Sequence, residues 1–336
     1  MGKCFVPFLL CGLLLLSGCG QNNLQNPPSK APELRIYTYQ EESVYSPIIK
    51  EYQERTGILV EVINGSYKEL KEYILADNLS QICDVVFGAD AALFEQTPSS
   101  FSPYTSEEAG NISPIYSSKS GLWTGFSVRP IVIMYNTRVV TYREVPEGFH
   151  NLLDTKWKGQ IAFMNPALDD VFAFTLTASM HTQAAQNDFV YKLAENINYT
   201  VFDSLSSLNQ AISEGRNFLG VTTEEKAVSI KSERGDVNYI YPSEGVCLLV
   251  DGSAIAVGCE NLSNAQNFID FTASKDAQYF LTSTLGRRSI RDDVPPPASL
   301  DALLDISYTS ISLGHQYEDA IKNWIEAMHL KPEEGR

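Results

Sequence analysis

The side chains in this sequence that could do chemistry gather in short clusters. They are Tyr39 with Gln40, Ser66 with Tyr67, Ala89 with Asp90, Asn165 to Asp169, Thr222 to Glu225, and the segment around Glu244. Most of these clusters follow a short apolar, β-like run and lead into a helical pattern. The first turn of a helix leaves backbone N–H groups unpaired beside the positive end of the helix dipole, which favours anionic oxygen. In open α/β sheets, ligands collect beyond the carboxyl ends of the strands. That rule selects Tyr39, Gln40, Ser66, Tyr67, Asp90, Asn165, Asp169, Thr223, Glu224, Glu225 and Glu244 as candidate ligand-binding residues. Hydroxyl and amide groups there suit phosphate or phosphonate oxygens, whereas carboxylates suit sugar hydroxyls or an ammonium group. Simpler roles stand beside these: Ser66 as a helix cap, Tyr39 and Tyr67 as cleft cover, and Glu224 and Glu225 as dipole-favoured residues of a first turn.

Catalysis finds little support. The four histidines, His150, His181, His315 and His329, sit in no H-E-x-x-H pattern, and no G-x-S-x-G elbow occurs. No catalytic residue, metal site or cofactor is expected. Arg287, Arg288 and Arg291 are assigned to interface or solvent roles. Of the six cysteines, Cys83, Cys247 and Cys259 lie beyond the first segment, with no C-x-x-C spacing, and are expected as small buried hydrophobes.

The elements that must position these residues alternate. Leu34 to Tyr39 reads as a strand, Val44 to Arg55 as a helix ended by Gly57, and Ile58 to Ile63 as a second strand. Ser66 to Glu69 is a capping-box pattern ahead of the apolar stripe Leu70, Tyr73 and Ile74, and Cys83 to Phe87 is a third strand. Residues 97–121, rich in Ser, Pro, Tyr and Gly, read as surface. The strand Trp123 to Asn136 then opens a second α/β set. Its strands are Gln160 to Phe163, Thr200 to Phe202, Phe218 to Val221 and Asn238 to Tyr241. Its helices are near Val171 to His181, Asp188 to Glu195, Ser204 to Glu214 and Glu224 to Glu233. A strand at Ser253 to Val257 and helices near Asn264 to Thr272 and Lys275 to Leu281 follow. A last stripe comprises Ala320, Ile321, Trp324, Ile325 and Met328. The expected fold is α/β, with two Rossmann-like α/β lobes.

At the N-terminus, Lys3 precedes the apolar run Phe5 to Leu16, too short to span a bilayer comfortably. Leu16-Ser17-Gly18-Cys19 resembles a bacterial lipobox, which implies a signal peptide over 1–18, lipidation of Cys19, and a tether over 19–32. The net charge is −16, and loss of Lys3 with the signal leaves −17. So acidic a chain argues against nucleic acid or an anionic membrane face as partner.

Ordered patterns then carry a family resemblance. They are Tyr52 to Gly57 (YQERTG), Asn64-Gly65-Ser66, Asp84 to Gly88 (DVVFG), Trp123-Thr124-Gly125, Tyr135-Asn136-Thr137, Leu152 to Gly159, Asn165-Pro166, Tyr241 to Gly245 (YPSEG) and Arg291 to Pro295. From about Leu34 to Pro297 the chain resembles the type 2 periplasmic-binding-protein fold, specifically family 1 solute-binding lipoproteins of the ferric iron, phosphonate and sugar-phosphate group. The resemblance implies a hinge of two crossing segments, near Thr124 to Pro130 and Gly245 to Asp251, and an interlobe cleft. It implies lobe one over 33–124 plus 251–305 and lobe two over 125–250, with 306–336 unassigned. The expected function is that of a monomeric, lipid-anchored extracytoplasmic subunit that delivers an organophosphate, phosphonate, sugar phosphate or polyol to ABC transporter permease subunits. Ferric or other metal-ion binding and ligand sensing are the alternatives. Two departures bear on the ligand. Thr222-Thr223-Glu224-Glu225 stands where ferric-binding members carry an adjacent tyrosine pair. Ala167-Leu168-Asp169-Asp170 stands where phosphate-binding members often place Ser or Thr.

Overall fold

Alternating side chains on three parallel strands, β1 (Leu34–Thr38), β2 (Val60–Asn64) and β3 (Val85–Asp90), build two apolar layers. Leu34, Ile36, Val85 and Phe87 point into one layer with Ile48, Phe126 and Phe268, while Tyr37, Val86 and Ala89 point into the other with Leu70, Phe94 and Trp123. A computed structural model describes this for Gly2 and residues 33–166, 186–298, 300–301, 308–309 and 314–330. Cys19, the tether, Asp169 and the helix expected at Val171 to His181 lie outside the described residues.

The connecting helices form where the apolar spacing places them. Glu42–Thr56 buries Val44, Ile48, Ile49 and Tyr52, and Gly57 ends it at a φ of 72°. Tyr67–Leu75 starts from a complete capping box: the Ser66 hydroxyl accepts from the Glu69 N–H, and the Glu69 carboxylate accepts from the Ser66 N–H.

The short β4 (Phe101–Ser102) sits in the segment expected as surface. Phe101 and Tyr116 are buried, so that stretch packs through its aromatics, and Ser106 is buried with them, donating to Asp270. The chain then crosses in β5 (Thr124–Asn136, 13 residues). The first part of β5 is antiparallel to the later β9, and its second part, from Ile131, is antiparallel to two strands of a second half. Those strands are β7 (Leu219–Thr223) and β8 (Val237–Ile240), which follow β6 (Ile161–Ala162), parallel to β7. The strand expected at Thr200 to Phe202 is reduced to one bridge between Met164 and Phe202. Asn198 and Tyr199 take positive φ angles of 55° and 52° there, which turns the chain too late for a ladder.

The return crossing is β9 (Val246–Ala256, 11 residues), a continuous strand where the sequence suggested a crossing followed by a strand from Ser253. Its apolar run Val246 to Val250 keeps it extended, and it pairs with both β5 and β3. The residue pair Gly125↔Gly252 lies within this crossing. A Cβ on Gly125 would meet the Tyr116 carbonyl oxygen at 2.5 Å, so only glycine admits that approach. Finally β10 (Tyr308–Thr309) pairs with β9, and the Gly314–His329 helix puts Ala320, Trp324 and Ala327 into the second core with Phe163 and Phe189. The strand order is β2-β1-β3-β9-β5-β7-β6.

Candidate ligand-binding cleft

Strand ends from both halves face one cleft of about 300 Å³. From the first half, Tyr39 and Gln40 follow β1, Ser66 and Tyr67 follow β2, and Asp90 closes β3. From the second, Thr223 ends β7, and Glu225 lies in the first turn of the Glu224–Arg234 helix. The β5–β9 crossing adds Arg129, Leu249 and Asp251 to the lining, and Arg287 reaches in after the Lys275–Thr284 helix.

A buried ionic network forms the floor. Asp251 accepts from Arg129 Nη2 at 2.6 Å, from Ser127 Oγ at 2.6 Å and from Arg287 Nη1 at 3.1 Å. Arg287 Nη1 also donates to Gln40 Oε1 at 3.0 Å, and the Gln40 amide donates to the Gly88 carbonyl. Two guanidinium groups thus share one carboxylate out of water. Burial lowers the pKa of Arg287, whereas for Arg129 the Asp251 and Glu225 charges outweigh burial and raise it. The Asp90 carboxyl is pushed up to about 6, first by burial and then by the Asp251 charge, against the Ala92 N–H and Arg129. Two donors on the lining have no acceptor: Arg129 Nε and the Thr223 hydroxyl are buried without partners. Such donors cost free energy until an oxygen-rich ligand takes them.

The rim is aromatic and ionic. Tyr39 accepts from the Asp90 N–H at 2.9 Å, and its ring meets Tyr67 edge to face with centroids 5.9 Å apart. Gly65 is required beside Ser66, because a Cβ there would meet Tyr37 Oη at 2.1 Å. Lys226 Nζ donates to Glu41 Oε2 at 2.6 Å, joining the second half to the first across the mouth. That pairing outweighs burial and holds Glu41 below the usual carboxylate range.

Tyr39, Gln40, Ser66, Tyr67, Asp90, Thr223 and Glu225 are therefore brought together. Glu224 and Glu244 are not. Glu224 is buried in a two-pronged pair with Arg288, at 2.7 and 2.9 Å, and takes the Tyr241 hydroxyl, so both carboxylate oxygens are committed. Glu244 instead caps the turn Phe149–Leu153, accepting from the Phe149 and His150 N–H groups and lying 2.5 Å from His150 Nδ1. Asn165 lies outside the lining, its N–H bonded to the Phe202 carbonyl. Instead of the interface or solvent roles expected, Arg288 and Arg291 are buried in ion pairs, with Glu224 and with Glu108 and Asp293, and Arg287 belongs to the cleft.

Arg129, Lys226, Asp251 and Glu41 are not among the residues expected from the sequence. For Arg129 and Asp251 the signal was a lone charge inside an apolar strand, in FSVRPIVIMY and VCLLVDGSAIAV, whereas Glu41 and Lys226 sit at and in helices and carried none. Among the described residues, no cluster of three or more His, Cys, Asp or Glu side chains could hold a metal ion.

Residues 47–304 match the family described as "Bacterial extracellular solute-binding protein". The chain is 25% identical over 325 residues to "Iron uptake protein A1" of Synechocystis sp., covering 91% of this chain and 89% of that protein. Iron-bound HitA from Pseudomonas aeruginosa superposes with a TM-score of 0.79 at 19% identity, covering 88% of this chain and 98% of that one. The periplasmic binding protein AfuA from Actinobacillus pleuropneumoniae, with fructose-6-phosphate bound, gives 0.78 at 17% identity, over 88% and 98% of the two chains. These structures have the two-lobed periplasmic-binding-protein fold, so the halves described above are its lobes. The family match over most of the chain, together with a cleft lined by strand ends of both lobes, makes this chain a member of the bacterial extracellular solute-binding proteins, which serve transport and not catalysis.

Proposed function

We propose that this chain is the receptor subunit of an ABC importer that captures ferric iron together with an oxyanion in the interlobe cleft. The observation that carries the receptor reading is the convergence of both lobes' strand ends on one polar cleft. The named relatives speak for iron over the organophosphate expected first from the sequence. Tyr39, Tyr67, Asp90 and Glu225 supply the hard oxygen atoms that suit ferric iron. With no three-acid cluster among the described residues, the metal needs ligands of its own, and the unpartnered Arg129 Nε and Thr223 hydroxyl support an accompanying anion.

A second reading, a sugar phosphate, is favoured by those same unpaired donors and by Thr222-Thr223-Glu224-Glu225 standing where ferric-binding members carry tyrosines. Thermal unfolding of the domain from residue 33 onward separates the two. Ferric citrate or ferric bicarbonate should raise the transition, and a visible iron–phenolate absorbance should appear. A ligand present at a hundredfold its dissociation constant stabilises by about 2.7 kcal/mol. A shift with fructose 6-phosphate and none with iron would replace the first reading with the second.

The proposed lobes are 33–124 with 251–305, and 125–250 joined by the C-terminal helix, closing about β5 and β9. We also infer that Cys19 is lipidated and holds a monomer at the outer face of the cell membrane. Cys19→Ser should move the full chain from the detergent phase to the aqueous phase in detergent partitioning.

A further inference from the structure

A second cavity of about 530 Å³ adjoins the cleft and shares Glu41, Leu205 and Lys226 with it. One wall is a stripe on the Leu205–Ser213 helix: Ser206, Asn209, Gln210 and Ser213, at spacings of three, four and seven. Every group on that stripe is an uncharged hydroxyl or amide. The facing wall is the outer part of the Glu224–Arg234 helix. Asn209 is 7% exposed, and its Oδ1 is buried with no hydrogen-bond donor. A buried amide oxygen left without a donor marks a place where a ligand hydroxyl gains a bond at little cost. Between the two cavities stands the Glu41–Lys226 ion pair.

We propose that the two cavities form one binding site in two chambers, taking a hydroxyl-bearing oxyanion. Its anionic head lies with Arg129 and Thr223 in the inner chamber. Its hydroxylated body passes the Glu41–Lys226 pair to lie along Ser206, Asn209 and Gln210. This rests on the cleft being the cargo site, and it names what the cargo must contain beyond an ion and a bare anion. A hydroxycarboxylate bound to iron and a sugar phosphate share that chemistry.

The test is isothermal titration of the domain with two matched pairs: ferric citrate against ferric bicarbonate, and fructose 6-phosphate against inorganic phosphate. In at least one pair the hydroxyl-bearing member should bind about tenfold tighter, the gain of one or two net hydrogen bonds. Ser206→Trp fills the outer chamber from an exposed position, and Gln210→Trp does so from a second one. Each should remove that advantage and leave the smaller probe's affinity unchanged. The pair that shows the effect identifies the source of the oxyanion. The two-chamber site is overturned if the smaller probes bind equally well, or if the advantage survives both variants; either result leaves the receptor reading intact. If none of the probes binds, the cargo reading fails and takes this proposal with it.

Discussion

Asp90 and Glu224 show how the same side-chain chemistry serves two ends. The Asp90 carboxyl, pushed up to about 6 by burial and by Asp251, gains a proton as the pH falls from 7.5 to 5, a window set by that value. An oxyanion beside Arg129 then loses a like-charged neighbour. Affinity for sulfate, whose charge is constant over this range, should rise by up to about tenfold, and Asp90→Asn should flatten the profile. The same proton gives the fold a contribution to stability that is present below the unfolded carboxylate range and lost as the pH rises through about 6. Glu224, 1% exposed against Arg288, has a structural duty. Glu224→Ala should cost about 3–5 kcal/mol by leaving a buried guanidinium uncompensated, while affinity at 25 °C stays unchanged; urea unfolding and titration read the two effects separately. Both carboxylates sit at a strand end in the sequence. Their difference lay in Arg288, 64 positions away, which no local pattern reports.

At the scale of elements, the crossing strands carry the strictest local demand. Gly125→Ala forces a methyl against the Tyr116 backbone, and Gly252, its partner in register, lies under Phe94 and Trp123 with a Cβ position 3.1 Å from each. Gly125→Ala should destabilise by about 1–3 kcal/mol in chemical unfolding and weaken ligand capture, because β5 positions Arg129. Helices and parallel strands were legible in the sequence because their signals are local: the Ser66 capping box, the αL Gly57, the stripe Val44, Ile48, Ile49 and Tyr52. The unbroken course of β9 was not, since Gly252 within an apolar run reads as a break until its partner glycine is known. The site was legible to the same degree. Strand-end residues followed from a rule about sheets, whereas Arg129 and Asp251 sit mid-strand, where only the crossing makes them neighbours.

At the scale of the whole molecule, β1 packs in one core and the Gly314–His329 helix in another. The Gly314–His329 helix closes the second core by seating Trp324, 1% exposed, against Phe163 with ring centroids 5.5 Å apart. Truncation ahead of Gly314 should cost on the order of 3–5 kcal/mol in that core alone and split one unfolding transition into two, followed by tryptophan fluorescence. The placement of the ionic groups has a mechanical meaning for closure. In the proposed closure about β5 and β9, Arg129 and Asp251 sit on the turning strands, where applied forces have almost no lever arm. The Glu41–Lys226 pair lies off those strands, at the mouth, where a weak force exerts a large torque. On that proposal, floor contacts govern how tightly cargo is held, and the rim governs the angle at which the lobes come to rest.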